Sequence, residues 1–205
     1  DDLSAGGPYR GGASSANGAV YVVLGSASGP AGAADLIIEG SQTAELLGWS
    51  VAGVEDTNGD GYADVAVGLH SWAQPGGPNG AVAVYPGSSG GLGTTPLMFA
   101  EGDVDARYLG ISVSSAGDVN GDGYGDVLAG GEGTGWLGGE AYVFLGSAAG
   151  PDPIPVWIGD EGIPYSNHRY GRVVSGVGDI NGDGCGDVAA SAPLYLGTFG
   201  NEGTV

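Results

Sequence analysis

Asp56, Asn58, Asp60 and Asp64 stand at positions 1, 3, 5 and 9 of the stretch DTNGDGYAD. The same spacing returns as Asp118, Asn120, Asp122 and Asp126 in DVNGDGYGD, and as Asp179, Asn181, Asp183 and Asp187 in DINGDGCGD. Each stretch reads D-x-N-G-D-G-x-x-D and gathers three carboxylates and one amide oxygen into nine residues. Alternate positions converge on a point when the backbone curls. Glycine at position 6 (Gly61, Gly123, Gly184) permits that curl. Position 7 would add a backbone carbonyl, from Tyr62, Tyr124 and Cys185. Calcium takes about 6–8 oxygen ligands in flexible geometry, and waters can complete the shell. Hard oxygen donors favour calcium over zinc or copper, and a small all-protein cage disfavours magnesium. The expectation is about three calcium ions per chain, one per loop.

An EF-hand also needs a bidentate Glu at position 12 and two flanking helices. Position 12 here is Val67, Ala129 and Ala190, and the flanks read as strands. The ninth-position aspartate would stand in for the missing ligand. A metal-free Asp/Asn/Gly hairpin turn is the competing reading of any one copy. Three copies in register weigh against it.

The first positions lie 62 and 61 residues apart, which marks a structural repeat. Each loop is followed by a short apolar run: DVAVGLH from Asp64, DVLAGGE from Asp126, DVAASAP from Asp187. DLSAGGP from Asp2 fits the same slot. Next come GAVYVVLGS, GAVAVYPGS and GEAYVFLGS, from Gly18, Gly80 and Gly139, with a shortened GTV at Gly203. Before each loop stands an LG or YG pair with an alternating strand: LGWSVAGV, LGISVSSAG, YGRVVSGVG. A less regular fourth segment includes LIIEG, LMFAEGD and PVWIGD. Four candidate strands per repeat with turns between them predict an all-β fold of four-stranded antiparallel sheets, the blades of a β-propeller. The repeats run over about 2–63, 64–125 and 126–186, with a partial one at 187–205. Stacked hairpins in a solenoid or sandwich are the alternative. Three blades do not close a ring, so the chain reads as a fragment or as a protomer whose ring is completed by self-association.

Composition agrees with many short strands and tight turns. Glycine makes up 46 of 205 residues without a triplet period, about three times its usual share. There is no lysine, and four arginines face 24 carboxylates, for a net charge of −20. Such a surface excludes nucleic acid and anionic membranes as partners. Three divalent ions would bring −20 to −14. No apolar run approaches the ~20 residues of a membrane-spanning helix. One cysteine, Cys185, permits no internal disulfide.

This pattern resembles the FG-GAP repeat of the integrin α-subunit β-propeller. The LG and YG pairs stand where that family has Phe-Gly. The GAP slot reads Gly6-Gly7-Pro8 and Ser191-Ala192-Pro193, while Gly68-Leu69-His70 and Gly130-Gly131-Glu132 depart from it. The resemblance implies calcium loops on one face of a seven-bladed propeller. It also implies an extracellular or secreted location, with adhesion or binding of a protein or glycan ligand on the other face. The glycine-rich, lysine-free composition points to a bacterial relative. Two other roles stay open: a purely structural calcium-stapled repeat of a large surface protein, and a non-catalytic propeller accompanying a hydrolase domain.

No catalytic constellation is visible, and the chain is not expected to be an enzyme. GSSGG at 87–91 matches a nucleophile elbow, but LGTTP after it starts no helix. GTGWLG at 133–138 matches a dinucleotide fingerprint without its helix. His70 and His168 have no Cys or second His at ligand spacing. Trp49, Trp72, Trp136 and Trp157 read as packing between blades more readily than as a sugar-binding surface.

Overall fold

The computed structural model describes residues 3–10, 17–30, 32–41, 45–74, 77–103, 108–133, 138–160 and 168–195. Trp136, the GTV at 203–205, and Asp2 lie outside the described residues. The described residues form strands and turns, with no helix among them. The all-β expectation holds.

Four antiparallel sheets follow one another along the chain. The first contains β1 (Leu3–Gly6), β2 (Ala19–Val23) and β3 (Leu36–Glu39), in that spatial order. The second contains β4 (Leu47–Val54), β5 (Asp64–Leu69), β8 (Ala81–Tyr85) and β9 (Met98–Glu101). Between β5 and β8 a two-residue hairpin, β6 (Ala73–Gln74) and β7 (Gly77–Pro78), forms a separate ribbon. The third sheet contains β10 (Leu109–Gly117), β11 (Asp126–Gly131), β12 (Glu140–Phe144) and β13 (Trp157–Gly159). The last pairs β14 (Val174–Gly178) with β15 (Asp187–Ala190). These are the four strand types read in the sequence, arranged as propeller blades. The repeat counted from each closing aspartate is offset by one strand from the sheet. The LG strand that ends one repeat is the first strand of the next blade.

Blades bury both faces, and period-two alternation decides which residue goes where. In β8, Ala81, Ala83 and Tyr85 pack toward the first blade with Val20, Val22, Ile38 and Val67. Val82 and Val84 pack the other way with Val113, Val127, Ala129, Tyr142 and Phe144. Leu128, Ala141 and Val143 then meet Val174 of the last blade. The core is therefore a series of inter-blade layers. A buried Val or Leu contributes about 1.5–3 kcal/mol.

Small residues set the blade spacing. A Cβ on Gly68 of β5 would strike the Gly110 carbonyl of β10, and one on Gly130 of β11 would strike that of Gly171. Gly6 of β1 stands in the same relation to Gly48 of β4. Gly48, Gly110 and Gly171 are the glycines of the LG and YG pairs, with φ of 81°, 83° and 76°. Their left-handed backbone would add strain to the contact for any side chain. The residues two places earlier, Leu46, Tyr108 and Arg169, also have positive φ, at 56°, 65° and 59°. Each accepts a turn hydrogen bond from three residues on, as in Trp49 N–H to Leu46 O at 3.1 Å.

Candidate metal centre

Each loop joins the first two strands of its blade: β4 to β5, β10 to β11, β14 to β15. Inside the loop the aspartates fold the backbone around themselves. Asp56 Oδ1 accepts the N–H of Gly59 at 2.7 Å and of Asp60 at 3.1 Å, and Oδ2 accepts that of Gly61 at 2.6 Å. Asn58 Oδ1 accepts Asp60 N–H at 2.9 Å, and Asp60 Oδ1 accepts Tyr62 N–H at 3.0 Å. Asn58 Nδ2 donates to Asp60 Oδ2 at 3.0 Å. These are successive Asx turns, the mechanism by which Asp and Asn shape short loops.

The second and third loops repeat the pattern bond for bond. Asp118 takes Gly121, Asp122 and Gly123, while Asn120 takes Asp122 and Asp122 takes Tyr124. Asp179 takes Gly182, Asp183 and Gly184, while Asn181 takes Asp183 and Asp183 takes Cys185. The position-6 glycines have φ of 90°, 91° and 91°, as the curl demands.

The ninth aspartate faces inward. Asp64 and Asp126 are 1% and 0% exposed. Asp64 Oδ2 accepts Thr57 N–H at 3.1 Å and the Thr57 hydroxyl, while Oδ1 accepts Gly87 N–H at 2.8 Å. Asp126 takes Val119 N–H and Gly146 N–H, both at 2.8 Å. Asp187 takes Ile180 N–H at 2.8 Å. In the two complete blades this residue ties its own loop to the turn after the third strand. Gly87 and Gly146 escaped the reading of the sequence, although a Gly-Ser pair recurs at 25–26, 87–88 and 146–147. Thr57 carried no signal, since Val119 and Ile180 occupy its place in the other loops.

Electrostatics separate the two kinds of aspartate. Some desolvation opposes it, but the Gly61, Gly59 and Asp60 amides hold the Asp56 carboxyl below the ordinary range. The same balance lowers Asp118. The Gly184 amide leads in lowering Asp179. Burial pushes Asp126 up against its two amide donors, and the Asp122 and Asp118 charges push the same way. The carboxylates of one loop thus lie within electrostatic reach of each other. No arginine answers them: the ion pairs among the described residues join Arg10 to Glu39, and Arg169 and Arg172 to Glu132. Desolvation, then Asp183 and the neighbouring Asp118, raise the Cys185 thiol.

Neighbouring loops touch. Gly125 N–H donates to Asp56 O at 2.9 Å, Ser147 N–H to Thr57 O at 3.0 Å, and Gly186 N–H to Asp118 O at 2.7 Å.

The donor set fits a hard cation. Each carboxylate named, and each asparagine oxygen, keeps at least one lone pair beyond its hydrogen-bond donors, and like charge accumulates without a counter-ion among the described residues. Among the described residues no three His, Cys, Asp or Glu side chains are gathered closely enough to hold a metal by themselves. A cation would therefore need the asparagine oxygen, the position-7 carbonyl and water beside the first and fifth carboxylates. The ninth keeps lone pairs that its amide donors leave free.

Several of the remaining chemistry-bearing residues among those described lie in packing roles, and Trp157 does not. His70 is stacked between Trp49, at 4.0 Å between ring centres, and Tyr108, at 4.9 Å. Burial lowers its pKa, against the Glu132 charge. Trp72 packs edge-on to Phe99 and donates Nε1–H to Glu101 at 3.0 Å. Trp157 is 43% exposed on the outer strand β13. Gly87–Gly91 is a serine-capped turn, with Ser88 Oγ donating to Gly91 O at 2.7 Å. Most of GTGWLG lies outside the described residues.

The FG-GAP repeat family model matches residues 47–85 and 170–205. The chain contains FG-GAP repeats. It is similar to integrin alpha-PS5 of Drosophila melanogaster, 36% identical over 166 residues, covering 77% of this chain and 16% of that protein. Integrin alpha-PS3 of the same fly is 33% identical over 162 residues, 77% of this chain and 14% of that protein. Human integrin alpha-7 is 37% identical over 108 residues, 52% of this chain and 9% of that protein. The chain spans no more than about a sixth of the length of these relatives. The FG-GAP assignment accounts for the LG and YG glycines and for the order of strands within each blade.

Proposed function

We propose that this FG-GAP chain is a calcium-binding, integrin-α-like propeller module, in which one ion per loop stiffens the inner hairpin of a blade. Asp56, Asn58, Asp60, Asp64 and the Tyr62 carbonyl would hold the first ion. Asp118, Asn120, Asp122, Asp126 and the Tyr124 carbonyl would hold the second. Asp179, Asn181, Asp183, Asp187 and the Cys185 carbonyl would hold the third. The bound ion supplies positive charge and a fixed coordination centre; it performs no reaction. The observation that carries this reading is the threefold Asx-turn pattern, which curls three uncompensated acidic loops identically. The similarity to integrin α subunits supports an extracellular module that binds a protein or glycan ligand rather than transforming a substrate.

The test is calcium stoichiometry by equilibrium dialysis. Wild type is expected to hold three ions per chain. Asp122→Ala is expected to hold two, because it removes a ligand from the second loop only. Unchanged stoichiometry in that variant refutes the ligand assignment. Screening against extracellular-matrix proteins and glycans tests the adhesion role, and uniform failure to bind in calcium would leave the staple without the receptor.

A further inference from the structure

The three loops match one another internally but differ in how they meet. Between the first and second loops a run of hydrogen bonds leads from one ninth-position aspartate to the other. Asp126 Oδ1 accepts Gly146 N–H at 2.8 Å, and the next residue, Ser147, donates its N–H to Thr57 O at 3.0 Å. Thr57 in turn donates both its N–H and its hydroxyl to Asp64 Oδ2. Thr57 is fully buried, where the low dielectric strengthens such bonds. A second tie joins Gly125 N–H, one residue before Asp126, to Asp56 O at 2.9 Å. A third is steric. The Tyr124 ring lies over Gly59, where an added Cβ would stand 2.8 Å from Tyr124 Cε1. Gly59 is the residue whose N–H Asp56 Oδ1 accepts at 2.7 Å.

Among the described residues, the second and third loops share the main-chain tie alone, Gly186 N–H to Asp118 O at 2.7 Å. Cys185 stands where Tyr124 stands in the second loop, and nothing lies within 4 Å of a Cβ placed on Gly121. Val119 stands in the place of Thr57, so Asp126 gains its N–H but no hydroxyl.

We propose that the first and second loops take up calcium as a coupled pair and that the third fills as a separate site, an inference that rests on the calcium reading of the loops. Ordering the second loop fixes the Tyr124–Asp126 backbone. Through the three ties that also fixes Asp56, Gly59 and Thr57, and with Thr57 the Asp64 carboxylate. A second ion then meets ligands whose ordering cost has already been met, which is positive cooperativity without a change of fold. The coupling is reciprocal, and couplings of this kind change affinity by about fivefold or more. Charge acts with the opposite sign. A loop with three carboxylates is formally −3 when empty and −1 with a divalent ion, so a filled neighbour attracts the next cation less. Salt screens that term and leaves the ties in place, so ordering sets the sign at physiological ionic strength.

The test titrates calcium chloride into the ¹⁵N-labelled 205-residue chain at about 0.15 M ionic strength. Occupancy is read loop by loop from the amides of Gly61, Gly123 and Gly184, each of which donates to the first aspartate of its loop. In wild type the Gly61 and Gly123 signals should move together and more steeply than a single-site curve, while Gly184 follows a single-site curve of its own. In Asp122→Ala, which disables the second loop, the calcium concentration that half-fills the first should rise about fivefold or more, although that loop still fills. Asp183→Ala, which disables the third loop, should move the Gly61 midpoint far less. Charge alone predicts the reverse for Asp122→Ala, because its empty second loop at −2 replaces a filled one at −1. An unchanged or lower Gly61 midpoint in Asp122→Ala, with calcium still filling the other loops, overturns the coupling and leaves the calcium reading standing. Equal weakening of the first loop by Asp183→Ala, or all three glycines moving in step, overturns the pairing in favour of folding of the whole chain on calcium. No response of any of the three glycines at millimolar calcium overturns the calcium reading itself, and the coupling with it.

Discussion

At the scale of single residues, aspartates of one sequence motif do two jobs. The first and fifth curl an exposed loop, while in the two complete blades the ninth, Asp64 or Asp126, is buried and holds amides from two segments. Truncating Asp126 to Ala would strand the Val119 and Gly146 N–H groups. It should cost about 1–3 kcal/mol for each amide left without a partner, read as a fall in the denaturant midpoint. Asp126→Asn keeps one acceptor oxygen and sheds the charge that burial and the Asp122 and Asp118 carboxylates oppose, so it should cost less. Acid should act through the other kind. A carboxylate held below its ordinary pKa stabilises the fold above the unfolded value and loses that contribution as pH falls through the folded value. Asp56, Asp118 and Asp179 are all lowered from 3.8. Asp126 has the opposite sign, since protonation relieves its cost. Scanning calorimetry of the calcium-free protein should show the melting temperature dropping once pH passes below 3.8, more shallowly in Asp118→Asn.

At the scale of elements, the hairpin and its glycines set what can change. Gly110 has φ of 83°, and an added Cβ would lie 2.9 Å from Gly68 Cα across the blade junction. Gly123 has φ of 91° with nothing within 4 Å of that position. Both substitutions to Ala carry backbone strain of about 1–2 kcal/mol, but only Gly110→Ala also forces blades apart. Its loss of stability in urea unfolding should therefore be the larger. Much of this was legible in the sequence because chemistry and spacing coincide. The loops, the order of strand types and the LG glycines each repeat a residue type at a fixed place. The turn at Leu46, Tyr108 and Arg169 was not legible, because three unrelated side chains share one positive φ. The anchoring of Asp64 on Thr57 was hidden for the same reason, since Val119 and Ile180 fill that slot elsewhere. A surface or blade-packing place for His70 was legible from its lack of ligand-spaced partners, but the identity of the stack was not, because Trp49 and Tyr108 come from two different blades and meet it only in space.

At the scale of the whole molecule, the core lies between blades, and a net charge of −20 acts across them. Loop-to-loop bonds such as Gly125 N–H to Asp56 O set acidic loops side by side. Cations at the loops would offset that repulsion where it is greatest. Calcium sites of extracellular modules bind at about 10⁻⁴–10⁻³ M, the range the proposed sites would share. At a hundred times the dissociation constant each site adds about 2.7 kcal/mol, so three independent sites add about 8. That is comparable with the roughly 5–15 kcal/mol of a whole domain. The most direct measurement is the melting temperature of the EDTA-stripped protein, followed by circular dichroism as calcium is titrated in. A calcium staple requires the melting temperature to climb steadily as three sites fill, with magnesium far less effective. An unchanged melting temperature through millimolar calcium, or an equal rise with magnesium, would contradict it.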